Sequence, residues 1–154
     1  MRIRLPNDQL EVLRQALHRA GTKEIGGQIF GEQLAPSDFV ASELTLQKRP
    51  GTFARFIVDL VQAARDAMRF FDRTQHQYTR YNYIGEWHSH PSFEVEPSGT
   101  DLGTMRDLVS DPDFKGLFAV LMITRLESGG CVTCRAWVFD PKGHEAAVTV
   151  EQQA

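Results

Sequence analysis

The chain has 154 residues, of which 42% are hydrophobic and 24% charged. A chain of this length buries about 68–70% of its unfolded surface when it folds, so it can form a core without disulfides. The formal charge of −3 comes from 17 Lys and Arg against 20 Asp and Glu, without a block of like charges, which argues against a nucleic-acid partner because phosphates call for a basic stripe. No apolar run is long enough to cross a membrane, and the start MRIRLPNDQ lacks the apolar core of a signal peptide, so we expect a cytoplasmic protein without a membrane partner. We also expect one domain over residues 1–154, because the sequence contains no repeat, low-complexity tract or long linker.

The first half of the chain alternates between strand patterns and one amphipathic helix. Leu10, Leu13 and Leu17 recur at helical spacing, which predicts a helix that begins at Pro6 and ends at Gly21. The segment EIGGQIFG is apolar and rich in glycine, which predicts a buried strand that another backbone approaches closely. The other predicted elements are strands at Arg2 to Leu5, Glu24 to Gly31 and Phe39 to Leu46, with a loop at Arg49-Pro50-Gly51.

The second half contains two further helix patterns and four strand patterns. The segment GLFAVLMITR is almost uniformly apolar, as is typical of a central strand, and Ser128-Gly129-Gly130 predicts the turn of a hairpin. The predicted helices are Asp59 to Thr74 and Ser98 to Ser110, and the predicted strands are Tyr81 to His90, Gly116 to Arg125, Val132 to Phe139 and Ala146 to Val150. Strands interspersed with three helices predict an α/β (mixed α+β) fold, with a mixed central sheet flanked by helices.

The segment His88-Ser89-His90-Pro91 contains the first pattern with chemical meaning. Residues two apart on a strand project from the same face, so the imidazoles of His88 and His90 would lie side by side and could chelate one metal ion. A catalytic zinc site takes three protein ligands and leaves one position for water, so a third ligand is needed. Glu94, Glu96 and Asp101 are all close enough in sequence.

Ser98 and Asp101 also fit a purely structural interpretation. A serine followed three residues later by an acid forms a good helix start in any protein. Taken alone, this spacing favours helix capping over metal binding.

Together, His88-x-His90-Pro91, six further residues, Ser98-x-x-Asp101 and an upstream Glu24 in EIGG resemble the JAMM signature of the MPN+ (JAB/Mov34) metalloprotease family. The helix before EIGGQIFG, the YNYIGEWHSHP segment and the GLFAVLMIT strand are similar to a prokaryotic JAMM domain, so the resemblance covers most of the chain. It implies the MPN, cytidine-deaminase-like fold.

The resemblance also implies a role for each residue of the pattern. His88, His90 and Asp101 match the Zn²⁺ ligands, with a water molecule as fourth ligand. Glu24 matches the general base that takes a proton from this water and delivers it to the leaving amine. Ser98 matches the side chain that donates to the developing oxyanion.

The substrate and partners follow from the resemblance alone. JAMM enzymes commonly cut isopeptide or peptide bonds after the C-terminal glycine of a ubiquitin-like protein, and prokaryotic members accompany activating and conjugating enzymes in bacterial operons, some of them antiviral. We therefore expect a zinc isopeptidase that deconjugates or matures a ubiquitin-like protein. Two alternatives remain open at this point: a hydrolase of sulfur-carrier-protein adducts in cysteine or cofactor biosynthesis, and a non-catalytic MPN scaffold.

Other residues near the pattern have more than one interpretation. Glu86 is either an outer partner of an imidazole or an ordinary surface or paired carboxylate. Glu32 is a weaker candidate for the base than Glu24. Trp87 is predicted to pack in the core, and Phe93 is a candidate substrate contact. Cys131 and Cys134, which are three apart on a strand and have no second pair, predict buried or half-buried thiols rather than a metal site.

Overall fold

The computed structural model describes residues 1–47 and 60–153, which form seven strands and three helices. In chain order the elements are β1 Arg2–Leu5, α1 Asn7–Ala20, β2 Gly26–Ala35, β3 Asp38–Leu44, α2 Leu60–Arg73, β4 Tyr81–Ser89, α3 Gly99–Ser110, β5 Ala119–Leu126, β6 Val132–Phe139 and β7 Glu145–Gln152. The predicted loop at 49–51 and the predicted helix start at Asp59 lie outside the described residues.

The seven strands form one mixed sheet in the order β1, β3, β2, β4, β5, β6, β7, which closes because β7 pairs with β1. The β1–β3, β1–β7 and β4–β5 pairs are parallel and the other pairs are antiparallel. The predicted α/β fold with a mixed sheet flanked by helices is confirmed. The closure of the sheet was not predicted, since pairing between the first and last strands leaves no local signal in the sequence.

The helices cover both faces of the sheet. The apolar side of α1 packs with Trp87 and Met122 on one face, while α3 packs with Leu121 and Ile123 on the other. The second helix lies on the same face as α3, where Phe70 stacks on Phe30 with ring centroids 4.7 Å apart. Because β5 lies between β4 and β6 and is covered on both faces, its residues 119–124 are all buried, as its uniformly apolar sequence predicts.

Two glycines allow the strands to approach closely beside the histidine segment. A Cβ on Gly26 would lie 2.3 Å from the carbonyl oxygen of Trp87, and one on Gly27 would lie 2.0 Å from that of Thr45. Both distances are too short for any side chain, so the predicted close approach is confirmed. The strand itself starts at Gly26 rather than at Glu24 and continues to Ala35.

No helix in the described ranges combines the length and the apolar composition that crossing a bilayer demands. The two cysteines are both free. Burial raises the pKa of the half-buried Cys134 to about 12, whereas Cys131 is exposed, so the prediction of a buried or half-buried thiol is wrong for Cys131. That residue lies between the turn at 128–130 and β6 rather than on the strand.

Candidate metal centre

Three side chains converge at the end of β4. The Nε2 atoms of His88 and His90 lie 3.1 Å apart, and these two atoms lie 3.4 Å and 3.6 Å from the carboxylate oxygens of Asp101. Both imidazoles are buried. Within the described residues, these three form the group of His, Cys, Asp or Glu side chains whose ligand atoms could hold one metal ion.

The pairing of β4 with β5 directs both histidines to the face covered by α3. His88 pairs with Ile123, which belongs to the core beneath α3, and paired residues of neighbouring strands project from the same face. His90 continues the pattern, since its N–H donates to the carbonyl of Thr124 at 2.9 Å. The alternation predicted from the sequence therefore places the two rings side by side.

Asp101 reaches the histidines from the first turn of α3. Ser98 is the N-cap: its Oγ accepts from the N–H of Asp101 at 3.1 Å, and its N–H donates to Oδ2 of Asp101 at 2.7 Å. The capping interpretation is thus correct, but it does not exclude the other, because the same carboxylate also faces the imidazoles. The helix cap fixes the side chain that completes the group.

The other two candidate ligands lie apart from the group. Glu94 is exposed, and its backbone carbonyl, not its carboxylate, contacts His90, accepting from Nδ1 at 2.9 Å. Glu96 forms an ion pair with Arg135. The bond to Glu94 has a further consequence: because a carbonyl can only accept, Nδ1 of His90 is the donor, which leaves Nε2 as the ring atom that faces the group and could bind a metal ion.

Electrostatics favour the charged form of the carboxylate. Although burial raises the pKa of Asp101, hydrogen bonds with His88 and His90 hold it well below the usual range of an aspartate. The hydrogen bond to Asp101 in turn raises the pKa of His90. An ionised carboxylate and two imidazoles can all bind a divalent cation. The cation then takes the place of the protons that these groups would otherwise carry.

The donor set fits zinc in chemistry and in size. Zinc binds imidazole nitrogen and carboxylate oxygen at about 2.0–2.2 Å, so two ligands of a tetrahedral site lie roughly 3.3–3.6 Å apart. The three measured separations of 3.1, 3.4 and 3.6 Å are close to that range. The spacing of the ligand atoms is therefore close to that of a zinc site, with the 3.4 and 3.6 Å distances joining the two imidazoles to different carboxylate oxygens, Oδ1 and Oδ2.

Glu24 lies two residues before Gly26, the first residue of β2, which pairs with His88. The intervening Ile25 is held to β4, because its carbonyl accepts from the N–H of Ser89 at 2.8 Å and its N–H donates to Oγ of Ser89 at 3.0 Å. Burial raises the pKa of Glu24, while the charges of His88 and His90 act to lower it. A buried carboxyl group thus stands beside the imidazoles, in a position suited to proton transfer.

The other two glutamates considered from the sequence, Glu32 and Glu86, have partners of their own. Glu32 forms an ion pair with Arg80. Glu32 lies eight residues after Glu24, which corresponds to about 27 Å of extended strand. Glu86 is partly buried; burial raises its pKa despite nearby His88 and a hydrogen bond with Tyr83. The hydrogen bond with Tyr83 fits the interpretation of Glu86 as a paired carboxylate, and its role in orienting an imidazole stays a prediction.

Two aromatic residues flank the histidines. Trp87 is fully buried, as predicted, and its Nε1 donates to the carbonyl of Thr45 at 2.9 Å. Phe93 is 51% exposed, and its ring lies edge-on to that of His90 at 6.3 Å between centroids. Phe93 thus remains a candidate substrate contact at the rim. Sequence reasoning missed the carbonyl of Glu94, because a backbone acceptor gives no residue-type signal.

Comparisons with known proteins agree with this geometry. A profile of the prokaryotic homologs of the JAB domain matches residues 6–140. The CD-NTase/cGAS isopeptidase of Enterobacter hormaechei subsp. hoffmannii (strain UCI 50) is 27% identical over 143 aligned residues, which cover 81% of this chain and 67% of that protein.

Solved structures show the same fold. Protein DSY2949 from Desulfitobacterium hafniense is 19% identical, with a TM-score of 0.65 over 98% of this chain and 94% of that one. A protein from Salinibacter ruber (strain DSM 13855) is 20% identical, with a TM-score of 0.57 over 99% and 92%. The JAB1/MPN domain protein AF2198 from Archaeoglobus fulgidus is 16% identical, with a TM-score of 0.50 over 97% of each chain. The resemblance and the fold expected from the sequence are confirmed.

Proposed function

The chain belongs to the family of prokaryotic homologs of the JAB domain, and from that premise we propose that it is a zinc-dependent isopeptidase of the JAMM type. It cleaves after the C-terminal glycine of a ubiquitin-like protein, and one metallopeptidase domain spans residues 1–154. The observation that carries the proposal is the group His88, His90 and Asp101, whose ligand atoms lie within 4.8 Å of one another, next to the buried Glu24.

Isopeptide hydrolysis is favoured over the other two functions by specific observations. The relative from Enterobacter hormaechei is called an isopeptidase, which supports this bond over an adduct on a sulfur-carrier protein. A non-catalytic scaffold needs neither a metal donor set nor a carboxyl group buried beside it. The three donors together, with the buried Glu24 subject to their charges, support an enzyme.

His88 and His90 through Nε2, together with the carboxylate of Asp101, would hold the zinc ion. When bound, zinc polarises the scissile carbonyl as a Lewis acid and brings the pKa of a water ligand to about 7. The chain keeps these three donors ready in two ways. The bond from Nδ1 of His90 to Glu94 fixes the tautomer, and the cap at Ser98 fixes the carboxylate.

Glu24 is the general base and then the general acid. Its carboxylate accepts a proton from the attacking water molecule and later donates that proton to the leaving lysine amine. Its raised pKa suits both steps, because a group that releases its proton too readily is a poor acid. The products are a free carboxylate on the modifier and a free amine on the target, without a covalent enzyme intermediate.

Ser98 supplies a hydrogen bond to the oxyanion. In the helix cap its Oγ accepts from the N–H of Asp101, and its hydroxyl also hydrogen-bonds the carboxylate of Asp101, from which it would turn to donate to the substrate. Removal of one such donor typically costs about 2.7–4 kcal/mol of barrier. The exposure of Ser98 is consistent with contact to a substrate rather than to the core.

The C-terminal tail of a ubiquitin-like substrate is extended and ends in glycine, the smallest residue. Such a tail can add to a sheet as an extra strand, and the half-exposed Phe93 beside His90 would narrow the approach so that glycine passes most easily. The partners are the ubiquitin-like protein, its conjugates and operon-encoded activating and conjugating enzymes, in the bacterial cytoplasm, with a role in antiviral defence.

The test is cleavage of defined conjugates by zinc-loaded protein. Bacterial ubiquitin-like proteins and CD-NTases, each joined through the C-terminal carboxyl to a fluorescent lysine, would report isopeptidase activity, and the same proteins ending in a cysteine adduct would report the sulfur-carrier alternative. We expect lysine release, lost on chelation and restored by Zn²⁺. Release of neither probe by folded, zinc-replete protein, while the Enterobacter relative cleaves its own substrate, would contradict the proposal.

A further inference from the structure

The loop that follows β4 is held at two successive carbonyl groups. The carbonyl of Glu94 accepts from Nδ1 of His90 at 2.9 Å, and the preceding carbonyl, that of Phe93, accepts from Nη1 of Arg125 at 3.0 Å. Residues 90–98 contain neither helix nor strand. The carbonyl that orients the imidazole is therefore held by individual contacts rather than by regular backbone pairing.

Arg125 is itself fixed to the sheet. It lies on β5 opposite Thr133 of β6, and its Nε and Nη2 both lie 2.9 Å from Oε1 of Glu127. The same oxygen accepts from the hydroxyl of Thr133 at 2.8 Å. Arg125 also follows Thr124, whose carbonyl accepts from the N–H of His90. The guanidinium thus links two paired strands to the loop.

We propose that Arg125 is a positioning residue for His90. Its bond to the carbonyl of Phe93 keeps the next carbonyl, that of Glu94, where Nδ1 of His90 can donate to it, and this leaves Nε2 directed at His88 and Asp101. The inference deepens the proposed function and rests on it, since ring orientation matters when the ring binds a metal. It also assigns a role to the cluster of Arg125, Glu127 and Thr133.

The chemistry of the side chain explains why it is arginine. A planar guanidinium offers donors in a fixed fork, so one edge can bind Glu127 while Nη1 reaches the loop. The ammonium of a lysine is a single point with no such fixed geometry. We therefore expect Arg125→Lys to restore only part of what Arg125→Met removes.

The test measures binding of Co²⁺ alone, by titration of its visible absorption, in the wild type, Arg125→Met and Arg125→Lys. Loss of an outer partner of a metal-binding histidine typically weakens metal affinity by 10–100-fold, and Arg125 acts one bond further away, so we expect about tenfold. The control is Arg80→Met, because Arg80 likewise binds one glutamate oxygen through Nε and Nη2 but pairs with Glu32. Thermal unfolding of the metal-free proteins gives a readout of structure alone.

We expect weaker binding and an altered Co²⁺ spectrum in Arg125→Met, an intermediate effect in Arg125→Lys, and wild-type behaviour in Arg80→Met, with similar unfolding temperatures. Equal affinity and spectrum in wild type and Arg125→Met would overturn the inference, as would an equal loss in Arg80→Met. A wild type that binds no Co²⁺ would overturn the proposed function itself, and the inference with it. If Arg125→Met does not fold, Glu127→Gln carries the test, because it loosens the guanidinium without removing it; unchanged affinity there also overturns the inference.

Discussion

Two glutamates near the two ends of the β2–β4 ladder have opposite settings. Just before the ladder begins at Gly26, Glu24 is buried, and the charges of His88, His90 and Asp101 act on it. At the other end, Glu32 pairs with Tyr81 of β4 in the ladder and forms an ion pair with the exposed Arg80. The same pair of strands thus holds one carboxyl away from water and neutralises another at the surface.

The two settings suggest different contributions: Glu24 contributes to catalysis, and Glu32 makes only a small contribution to folding stability. A solvent-exposed ion pair contributes little to folding, because water screens it and two long side chains lose freedom. A buried carboxyl group beside titratable rings costs folding free energy and is retained where function needs a tuned proton acceptor. Perturbing the Glu24 end should therefore change chemistry, and perturbing the Glu32 end should change neither chemistry nor metal binding.

The largest expected effect is on metal binding at the Glu24 end. Asp101→Ala should lower zinc affinity by more than the roughly 10–100-fold that the loss of an outer partner costs, and abolish activity. Asp101→Asn is the matched control, because its amide oxygen can still accept from the N–H of Ser98 and keep the cap while the charge is lost. Elemental analysis of dialysed protein checks both variants.

If Asp101→Ala keeps stoichiometric zinc, the residue is a helix cap only. Glu94 or Glu96 would then have to move to supply the third ligand. If Asp101→Asn binds zinc as well as the wild type, the charge of the carboxylate does not contribute to the site.

The second effect concerns turnover. Glu24→Gln should leave zinc content unchanged and should not lower the unfolding temperature, because it removes a buried ionisable group, but it should lower kcat by about 10² or more, as expected for a lost general base. Glu32→Gln, at the other end of the same strand, should leave kcat unaltered and shift the unfolding temperature by at most about 2 °C. Steady-state kinetics on a cleavable conjugate measure kcat for both variants. Comparable losses of kcat in Glu24→Gln and Glu32→Gln would contradict the proposed difference between the two glutamates.

The third effect compares a glycine at the start of β2 with one in its middle. A Cβ on Gly26 would lie 2.3 Å from the carbonyl oxygen of Trp87 and 2.9 Å from the Cβ of His88. One on Gly31 would first meet Cδ1 of the Ile84 side chain at 2.8 Å, and the nearest backbone atom, the carbonyl oxygen of Val40, at 3.0 Å. Gly26→Ala should therefore cost about 1–3 kcal/mol of unfolding free energy, as overpacking does, and weaken Co²⁺ binding because His88 must move. Gly31→Ala should cost less and leave Co²⁺ affinity intact. Urea denaturation ranks them, and the reverse order would refute the packing argument.

Elements whose ends are marked by a residue of special geometry could be predicted within about one residue. Gly21, with a φ of 60°, ends α1, and Ser98 caps α3. Strand ends were less accurate: β2 starts two residues later and ends four residues later than predicted, since pairing partners, not local sequence, decide where a strand stops. Closure of the sheet depends on contacts between the chain's two ends and was out of reach.

The features of the site that depend on local sequence could also be predicted, and those that depend on contacts between distant segments could not. Alternation along β4 was sufficient to place His88 and His90 on one face, because the period of a strand is a local property. Residue patterns left the third ligand open among Asp101, Glu94 and Glu96, because the Ser98–Asp101 spacing fits a helix cap as well, and family resemblance decided for Asp101. The position of Glu24 near the imidazoles, and the carbonyls that hold His90 and engage Arg125, depend on backbone pairing and backbone hydrogen bonds. Every residue has these backbone groups, so the residue types give no signal for them.

The smallest expected effect is on the pH dependence of cleavage, and it isolates the contribution of Glu24. Burial raises the pKa of Glu24, and the base must be unprotonated to accept a proton, so kcat/KM should fall as the pH drops through that raised pKa. The acidic limb should therefore lie above the ordinary glutamate value of about 4.3. Protonation of the histidine ligands would also produce an acidic limb, but that limb would persist in the residual activity of Glu24→Gln, whereas the limb due to Glu24 would disappear. A profile measured at saturating zinc for the wild type, Glu24→Gln and Glu32→Gln decides between them: an unchanged acidic limb in Glu24→Gln would assign it to the ligands and remove Glu24 as the titrating base.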